Sequence, residues 1–390
     1  MLTRQLDQAR RNPALILIVL GGGVVLGALI GVVFTHGGGS AHAADSGAGA
    51  GRTTRAPTRH AGVIATPAIV PRALASATAK AGAAAVSSTH AAGRSQLQVA
   101  LNYGVTHADA LGGEAAAAVW VSGDPQPVLS GPTTVPHRMW SISKAVATIA
   151  ALQATHEEPD PVLQAAIADA IRRSDNCAIR RVIVGLQDRL DEGVAGTVAA
   201  FERVLGSAGV VLARTPQAAA AEQACVHYLE THQGGLPGSD LGVVPQFGTA
   251  EWTEDDAILF THALAQGVYG AAGRYLLRLM GMPKQPPLEE PPPPSAPPLD
   301  WGAGAVFQAA WQPAWKAGWG GSQDVPPRFL AAQIVVLHIA GVPVAVSAIF
   351  RPKAEPPSDN PGITEAPQAL QLMFAAAQIG LEDERVGAGG

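Results

Sequence analysis

Apolar positions along the chain fall into helical and strand-like periods. Leu97, Val99, Ala100 and Tyr103 recur at helical spacing and predict a helix over 95–110. Residues 115–121 form an apolar run ending in the turn cluster Ser122-Gly123-Asp124-Pro125, and apolar residues resume at 128–130, so two strands joined as a hairpin are expected. A helical block follows. Residues 142–156 are apolar and alanine-rich throughout, as in a helix buried on all sides. The stretch 161–186 is helical except at Arg172-Arg173-Ser174-Asp175-Asn176, and 196–205 predicts a further helix. Thr253 before Glu254, Asp255 and Asp256 reads as an N-cap with acids in the first turn, opening a helix to about residue 266; 270–281 adds another. Nine prolines between 283 and 298 exclude helix and central strand there, leaving an extended loop. Beyond it, 315–319, 329–339 and 342–350 predict three strands, the last two joined by the tight turn Ala340-Gly341. A loop over 352–361 leads to a final amphipathic helix, 363–379, whose regular part begins near Pro367. The order predicts an α/β domain: an antiparallel sheet flanked by helices, beside a helical lobe.

The first 94 residues follow another pattern. Residues 14–34 carry no charge and would span about 31 Å as a helix, enough for the bilayer hydrocarbon. Arg4, Arg10 and Arg11 precede this segment, so residues 1–13 are expected in the cytoplasm and the rest outside, as a single-pass membrane protein with an extracytoplasmic domain. Ala41-His42-Ala43 leaves a cleaved signal peptide, and hence a secreted protein, as the alternative. Residues 35–94, rich in Ala, Gly and Thr, read as a flexible linker. The folded domain is expected over 95–382, with 383–390 as a tail.

Composition narrows the functional classes. The chain has 390 residues, 47% apolar and 15% charged, which allows a sizeable core. A net charge of −5 gives no case for nucleic-acid binding. Of the 26 basic residues only Lys80, Lys144, Lys284, Lys316 and Lys353 are lysines, so a lysine inside the folded part stands out. Lys80 falls in the linker, and Lys284 and Lys353 in proline-rich loops. The 11 histidines show no spaced ligand pair; no metal and no cofactor is expected. Cys177 and Cys225 suit a disulfide in an exported chain, closing a loop of about 49 residues worth roughly 4 kcal/mol; two buried thiols are the alternative.

Three clusters carry chemistry. Ser141-Ile142-Ser143-Lys144 puts Ser141 and Lys144 one turn apart on a helix start. A hydroxyl attacks only once a base takes its proton, and a buried lysine can be that base because desolvation lowers its pKa, whereas arginine stays charged. In Ser174-Asp175-Asn176, Ser174 can relay a proton and Asn176 can hydrogen-bond both the lysine and a substrate amide; a helix N-cap is the structural alternative. Ser358-Asp359-Asn360 repeats the letters in a proline-rich loop and reads as a turn. Lys316-Ala317-Gly318 opens a late strand: a fixed cation for an anionic group, a glycine allowing close approach, and backbone N–H groups able to form an oxyanion hole. Trp140, Trp315 and Trp319 adjoin these clusters and can stack on a sugar or serve as core and cleft wall.

Together, in this order on helix, helix and strand, the clusters resemble those of the serine β-lactamase and penicillin-binding protein family, most closely the class A β-lactamases. The resemblance covers about 95–381 and extends to the helix around Ser174 and the helix after Trp252. It implies an acyl-enzyme mechanism: Ser141 attacks a carbonyl, Lys144 is the base, Ser174 shuttles the proton, Asn176 orients substrate and Lys316 attracts a carboxylate. The N–H groups of Ser141 and Trp319 hold the oxyanion, and Gly318 lets the strand approach. There are three departures. Ala317 replaces the usual Thr or Ser. No match to the glutamate-bearing Ω-loop occurs in 206–250, where Glu222 and Glu230 are the only glutamates. Only 33 residues separate Ser141 from Ser174, fewer than class A proteins have. The expected substrates are β-lactams or peptidoglycan stem peptides ending in D-Ala-D-Ala, with efficient β-lactam hydrolysis disfavoured. The alternatives are an inactive or weak relative that binds a cell-wall fragment or membrane partner, and an esterase using the same Ser–Lys pair.

Overall fold

The computed structural model describes residues 93–156, 159–190, 192–220, 225, 243–285, 302–320, 329–353 and 365–388. The segment 14–34, the linker to residue 92 and the second Ser-Asp-Asn triplet lie outside them. Among the described residues no helix is long and apolar enough to cross a membrane.

A helix over 93–109 (α1) leads into β1 (Gly113–Val121) and β2 (Val128–Ser130). The late strands are β7 (Ala314–Gly320), β8 (Leu330–Ile339) and β9 (Val342–Pro352). They form one antiparallel sheet in the order β2-β1-β9-β8-β7, so the chain's two strand-rich ends pair along β1 and β9. Period-two alternation gives the sheet two buried faces. Ala115, Ala117 and Val119 of β1, Val335 and Leu337 of β8 and Val346 and Phe350 of β9 face one core with Leu97 and Leu101 of α1. The C-terminal helix packs there too, through Leu370, Met373 and Phe374. Glycines let the two helices touch: a Cβ on Gly104 would lie 2.5 Å from that of Ala376, and one on Gly380 would lie 2.8 Å from Leu97 Cα. Ala116, Ala332, Ile334, Val336 and Ile349 face the helical lobe on the other side.

The lobe is built around α2 (Ser143–Ala154), buried from Ser143 through Leu152 as its uniform apolar composition requires. Around it stand α3 (Pro161–Arg172), α4 (Asn176–Gln187), α5 (Gly193–Gly206) and α7 (Gly270–Met280), while α6 (Glu254–Ala265) packs on β1, β8 and β9. Thr253 caps α6 through a reciprocal capping box with Asp256, as the sequence predicts. The two-residue strands β3 (His137–Arg138) and β6 (Glu251–Trp252) pair beneath this cap, where His137 Nε2 lies 3.7 Å from Glu254 Oε2, both buried.

Several boundaries differ from expectation. α1 begins at 93, inside the predicted linker. The C-terminal helix, α9 (Ala366–Ala388), runs well past residue 379 and through most of the predicted tail. Gly380 still meets Leu97 of α1, and Leu381 the same core, just past the predicted end. A ribbon of β4 (Gln217–Ala220) and β5 (Val243–Gln246) was not anticipated, because Gln217-Ala218-Ala219-Ala220 carries no strand alternation. A short helix, α8 (Ala303–Val306), follows the proline-rich stretch.

Cys177 and Cys225 form a disulfide, with Cα atoms 5.2 Å apart, tying residue 225 to the first turn of α4. This decides between the bonded and free-thiol readings. Replacing both cysteines by serine is expected to lower unfolding free energy in urea by about 4 kcal/mol, the chain-entropy value for this loop.

Candidate active site

Ser141 sits in a single 3-10 turn (Trp140–Ile142) that runs directly into α2. Trp140 enters the turn with φ 45°, a left-handed conformation that costs a non-glycine residue on the order of 1–2 kcal/mol. Its surroundings hold it there. Ser143 Oγ donates to the Trp140 carbonyl at 2.6 Å. Gly320 abuts the indole so closely that a Cβ would lie 2.8 Å from the ring, and a Cβ on Gly248 would lie 3.4 Å from Trp140 Cα. Gly318 brings β7 against the same turn: its Cβ would stand 2.8 Å from the Met139 carbonyl and 3.1 Å from Ile142 N. The strand thus approaches the Ser141 turn at backbone contact, as the glycine after Lys316-Ala317 allows.

Lys144 lies one helical turn on, buried in the lobe. Its Nζ donates to the Ser174 carbonyl and, at 2.8 Å, to Asn176 Oδ1, with Ser174 Oγ at 3.4 Å. Burial pulls its pKa down to about 7; the Asp175 carboxylate works against this and the Arg180 charge adds to it. A neutral amine has two N–H groups and one lone pair. Donation to Ser174 O and Asn176 Oδ1 uses both N–H groups and leaves the lone pair for a hydroxyl proton. These hydrogen bonds of Lys144 go to the Ser174 turn rather than to Ser141.

The Ser174 turn caps a helix, as the structural reading of its sequence holds. Asp175, buried, accepts from Ala178 N at 2.8 Å and caps α4. The flanking residues face the lysines: Ser174 stands at φ 54°, its carbonyl toward Lys144, while Asn176 is exposed at the helix start. Lys316 approaches from β7. Its Nζ donates to Ser174 Oγ and to the Ala317 carbonyl, each at 2.9 Å, although 142 residues separate it from Ser174. Burial lowers its pKa well below the usual ammonium value, and the charges of Lys144 and Lys284 lower it further.

Alternation along β7 sorts the remaining residues. Lys316, Gly318 and Gly320 face the lobe; Trp315 and Ala317 join the opposite core, and Trp319 packs on that core's edge. Trp315 is therefore core rather than a stacking platform. β7 is also an edge strand, and its carbonyls at Trp315 and Ala317 accept side-chain bonds from Lys284 and Lys316. Backbone groups two residues apart share a direction, so those of Trp319 point to the same edge.

The structure thus brings Lys144, Ser174, Asn176 and Lys316 together and sets Gly318 against the Ser141 turn. It adds Lys284, which the proline-rich context had set aside; only the scarcity of lysine could have flagged it. Of the residues 206–250 that are described, none is acidic, and Phe247–Thr249 is the part beside Trp140. Glu222 and Glu230 lie outside the described residues. Among the described residues no group of three His, Cys, Asp or Glu is placed to hold a metal. A Gly318→Ala variant should push β7 off the Ser141 turn, costing about 1–3 kcal/mol of stability and about 10²-fold in any acylation rate at Ser141, measured by urea unfolding and stopped-flow acylation.

No family model matches the chain, and no curated protein matches it. Solved structures similar to it include a β-lactamase from Sphaerobacter thermophilus (14% identity, 73% of this chain and 98% of that one, TM-score 0.45). A class A β-lactamase from Mycobacterium abscessus is similar at 15% identity, over 70% of this chain and 98% of that one, with TM-score 0.46. A β-lactamase from Xanthomonas campestris pv. campestris is similar at 14% identity, over 73% and 98%, with TM-score 0.49. At this level of likeness none of them assigns an activity; the chain's own side chains must do that.

Proposed function

We propose that the chain is an exported serine hydrolase or acyltransferase in which Ser141 forms an acyl-enzyme with β-lactams or D-Ala-D-Ala-type cell-wall peptides. The observation that carries this reading is the convergence of Lys144 and Lys316 on one hydroxyl, Ser174 Oγ. Neutral Lys144 takes the Ser141 proton as Oγ attacks the carbonyl. The developing oxyanion is held by the N–H groups of Ser141 and Trp319. The proton then passes from the Lys144 ammonium through Ser174 Oγ to the leaving nitrogen, whose bond to the acyl carbon breaks. Lys316 attracts the substrate carboxylate, and the Asn176 amide orients the acyl side chain. The arginine-flanked segment 14–34 supports export and anchoring outside the cytoplasm.

Hydrolysis of the acyl-enzyme needs a base to activate water. That 206–250 holds no sequence match to the glutamate-bearing Ω-loop supports slow deacylation, and so a D,D-peptidase or acyl-transfer role over efficient β-lactam hydrolysis. A second reading, a non-catalytic binder of cell-wall fragments, is favoured by one observation. Ala317 packs its methyl in the far core, and the charge-assisted hydrogen bond a hydroxyl there would give a carboxylate, worth about 1.5–3 kcal/mol, is missing. Muropeptide binding without an adduct, unchanged in Ser141→Ala, would favour the binder.

Mass spectrometry after incubation with a penicillin should show one acyl adduct on the wild-type chain and none on Ser141→Ala; an adduct that survives the substitution would overturn the nucleophile. The acylation rate should rise with pH through about 7, because Lys144 is a base only after losing its proton. Lys144→Met should remove that limb and lower the rate by about 10²–10⁴-fold.

A further inference from the structure

The residues after α7 make three bonds that together span the candidate site from outside. Lys284 Nζ donates to the carbonyl of Met280, the last residue of α7, at 2.8 Å and to that of Trp315 at 2.9 Å. The same ammonium lies 4.5 Å from the Trp315 ring centroid. Gln285 N–H donates to the Arg172 carbonyl at 3.1 Å. Trp315 immediately precedes Lys316, and Arg172 stands two residues before Ser174. Two adjacent residues therefore link the backbone next to Lys316 with the backbone next to Ser174. From inside the site, Lys316 Nζ and Ser174 Oγ bridge the same gap at 2.9 Å.

We infer that Lys284-Gln285 is a positioning strap that sets the spacing of Lys316 and Ser174 and adds a fixed positive charge behind the anion-binding lysine. This rests on the acyl-enzyme reading for its catalytic meaning, but not for its geometry. The placement suits a permanent cation. The C-terminus of α7 carries the negative end of the helix dipole, the indole face attracts an ammonium, and two carbonyls accept its protons. Among the described residues, the charged groups that act on Lys316 are Lys144 from α2 and Lys284 from the strap, with the Ser174 hydroxyl between Lys144 and Lys316; Asp175 and Arg180 act on Lys144. The strap's charge thus adds to that of Lys144 and makes Lys316 easier to deprotonate. Its bonds hold β7 where Lys316 reaches Ser174. The consequence is specificity for an acyl donor carrying a carboxylate, in a strand whose residue 317 offers no hydroxyl to share that task.

A chain with five lysines gives few lysine signals, so NMR of lysine-labelled protein can follow Lys316 directly, assigned by single Lys→Arg variants. In Lys284→Met the Lys316 titration midpoint should move to higher pH, because one nearby positive charge is gone; in Lys284→Arg, which keeps charge and donors, it should stay. Penicillin acylation kinetics supply the second reading. Lys284→Met should weaken initial binding about tenfold, because β7 is no longer held where Lys316 meets a carboxylate, with the acylation rate at saturation changed far less. Lys284→Arg should restore binding. An unmoved Lys316 midpoint and unchanged binding in Lys284→Met, with thermal melting showing the variant folded, would overturn the strap. If the wild-type chain is never acylated, the acyl-enzyme reading fails, while the Lys316 titration still decides the strap.

Discussion

Two ammonium groups are buried within reach of one serine hydroxyl, and the rest of the site follows from what makes that tolerable. Burying an unpaired cation is costly, and two together repel. The turn at Ser174 lowers both costs by offering acceptors: the Ser174 carbonyl and Asn176 Oδ1 to Lys144, and Ser174 Oγ to Lys316. A carbonyl can be aimed this way only if the backbone leaves the helical region, which Ser174 does at φ 54°. That conformation must be held, and the turn is fastened on either side. Asp175 caps α4, Cys177 bonds Cys225 one residue past Asn176, and Gln285 holds the Arg172 carbonyl. Strain at Ser174 and at Trp140, beside the nucleophile, thus sits where the surrounding structure over-determines it.

The sheet contributes by sorting side chains. β7 is an edge strand with a core on each face, so each residue is committed to the lobe, to the far core or to the open edge. Lys316 and Gly318 fall to the lobe, where one supplies charge and the other removes the Cβ that would hold the Ser141 turn away. Ala317 falls to the far core. Its small size suits that packing as well as it weakens the carboxylate site, so the departure from a hydroxyl residue has a structural counterpart.

Much of this was legible in the sequence because it depends on local pattern. Apolar runs on either side of the tight turn Ala340-Gly341 marked β8 and β9, the all-apolar run marked α2, and Thr253 with three acids marked the start of α6. The candidate residues were legible because lysine is rare here and arginine cannot act as a base. What escaped depends on tertiary contacts. The β4–β5 ribbon is strand by pairing, not by propensity, and α9 packs on α1 through Gly380, past the predicted end. Lys284 looked like a loop residue because nothing in its neighbours foretells that β7 would pass beneath it. The buried His137–Glu254 pair likewise has no sequence signal, since each residue alone reads as polar surface.

Lysine, rather than arginine, at both motif positions also has a physical consequence for the proton. Lys144 and Lys316 each have a lowered pKa, and their ammonium groups meet at a single hydroxyl. Repulsion across Ser174 Oγ makes them lose their first proton as a coupled pair. The proposed chemistry needs the remaining proton on Lys316, so that Lys144 is free to accept one and an ammonium is left to meet an anion. An arginine at position 316 would keep its charge at all pH and could not exchange a proton through Ser174. With two lysines the hydroxyl between them can accept from one and donate to the other, so the same three groups serve binding before the attack and proton transfer during it.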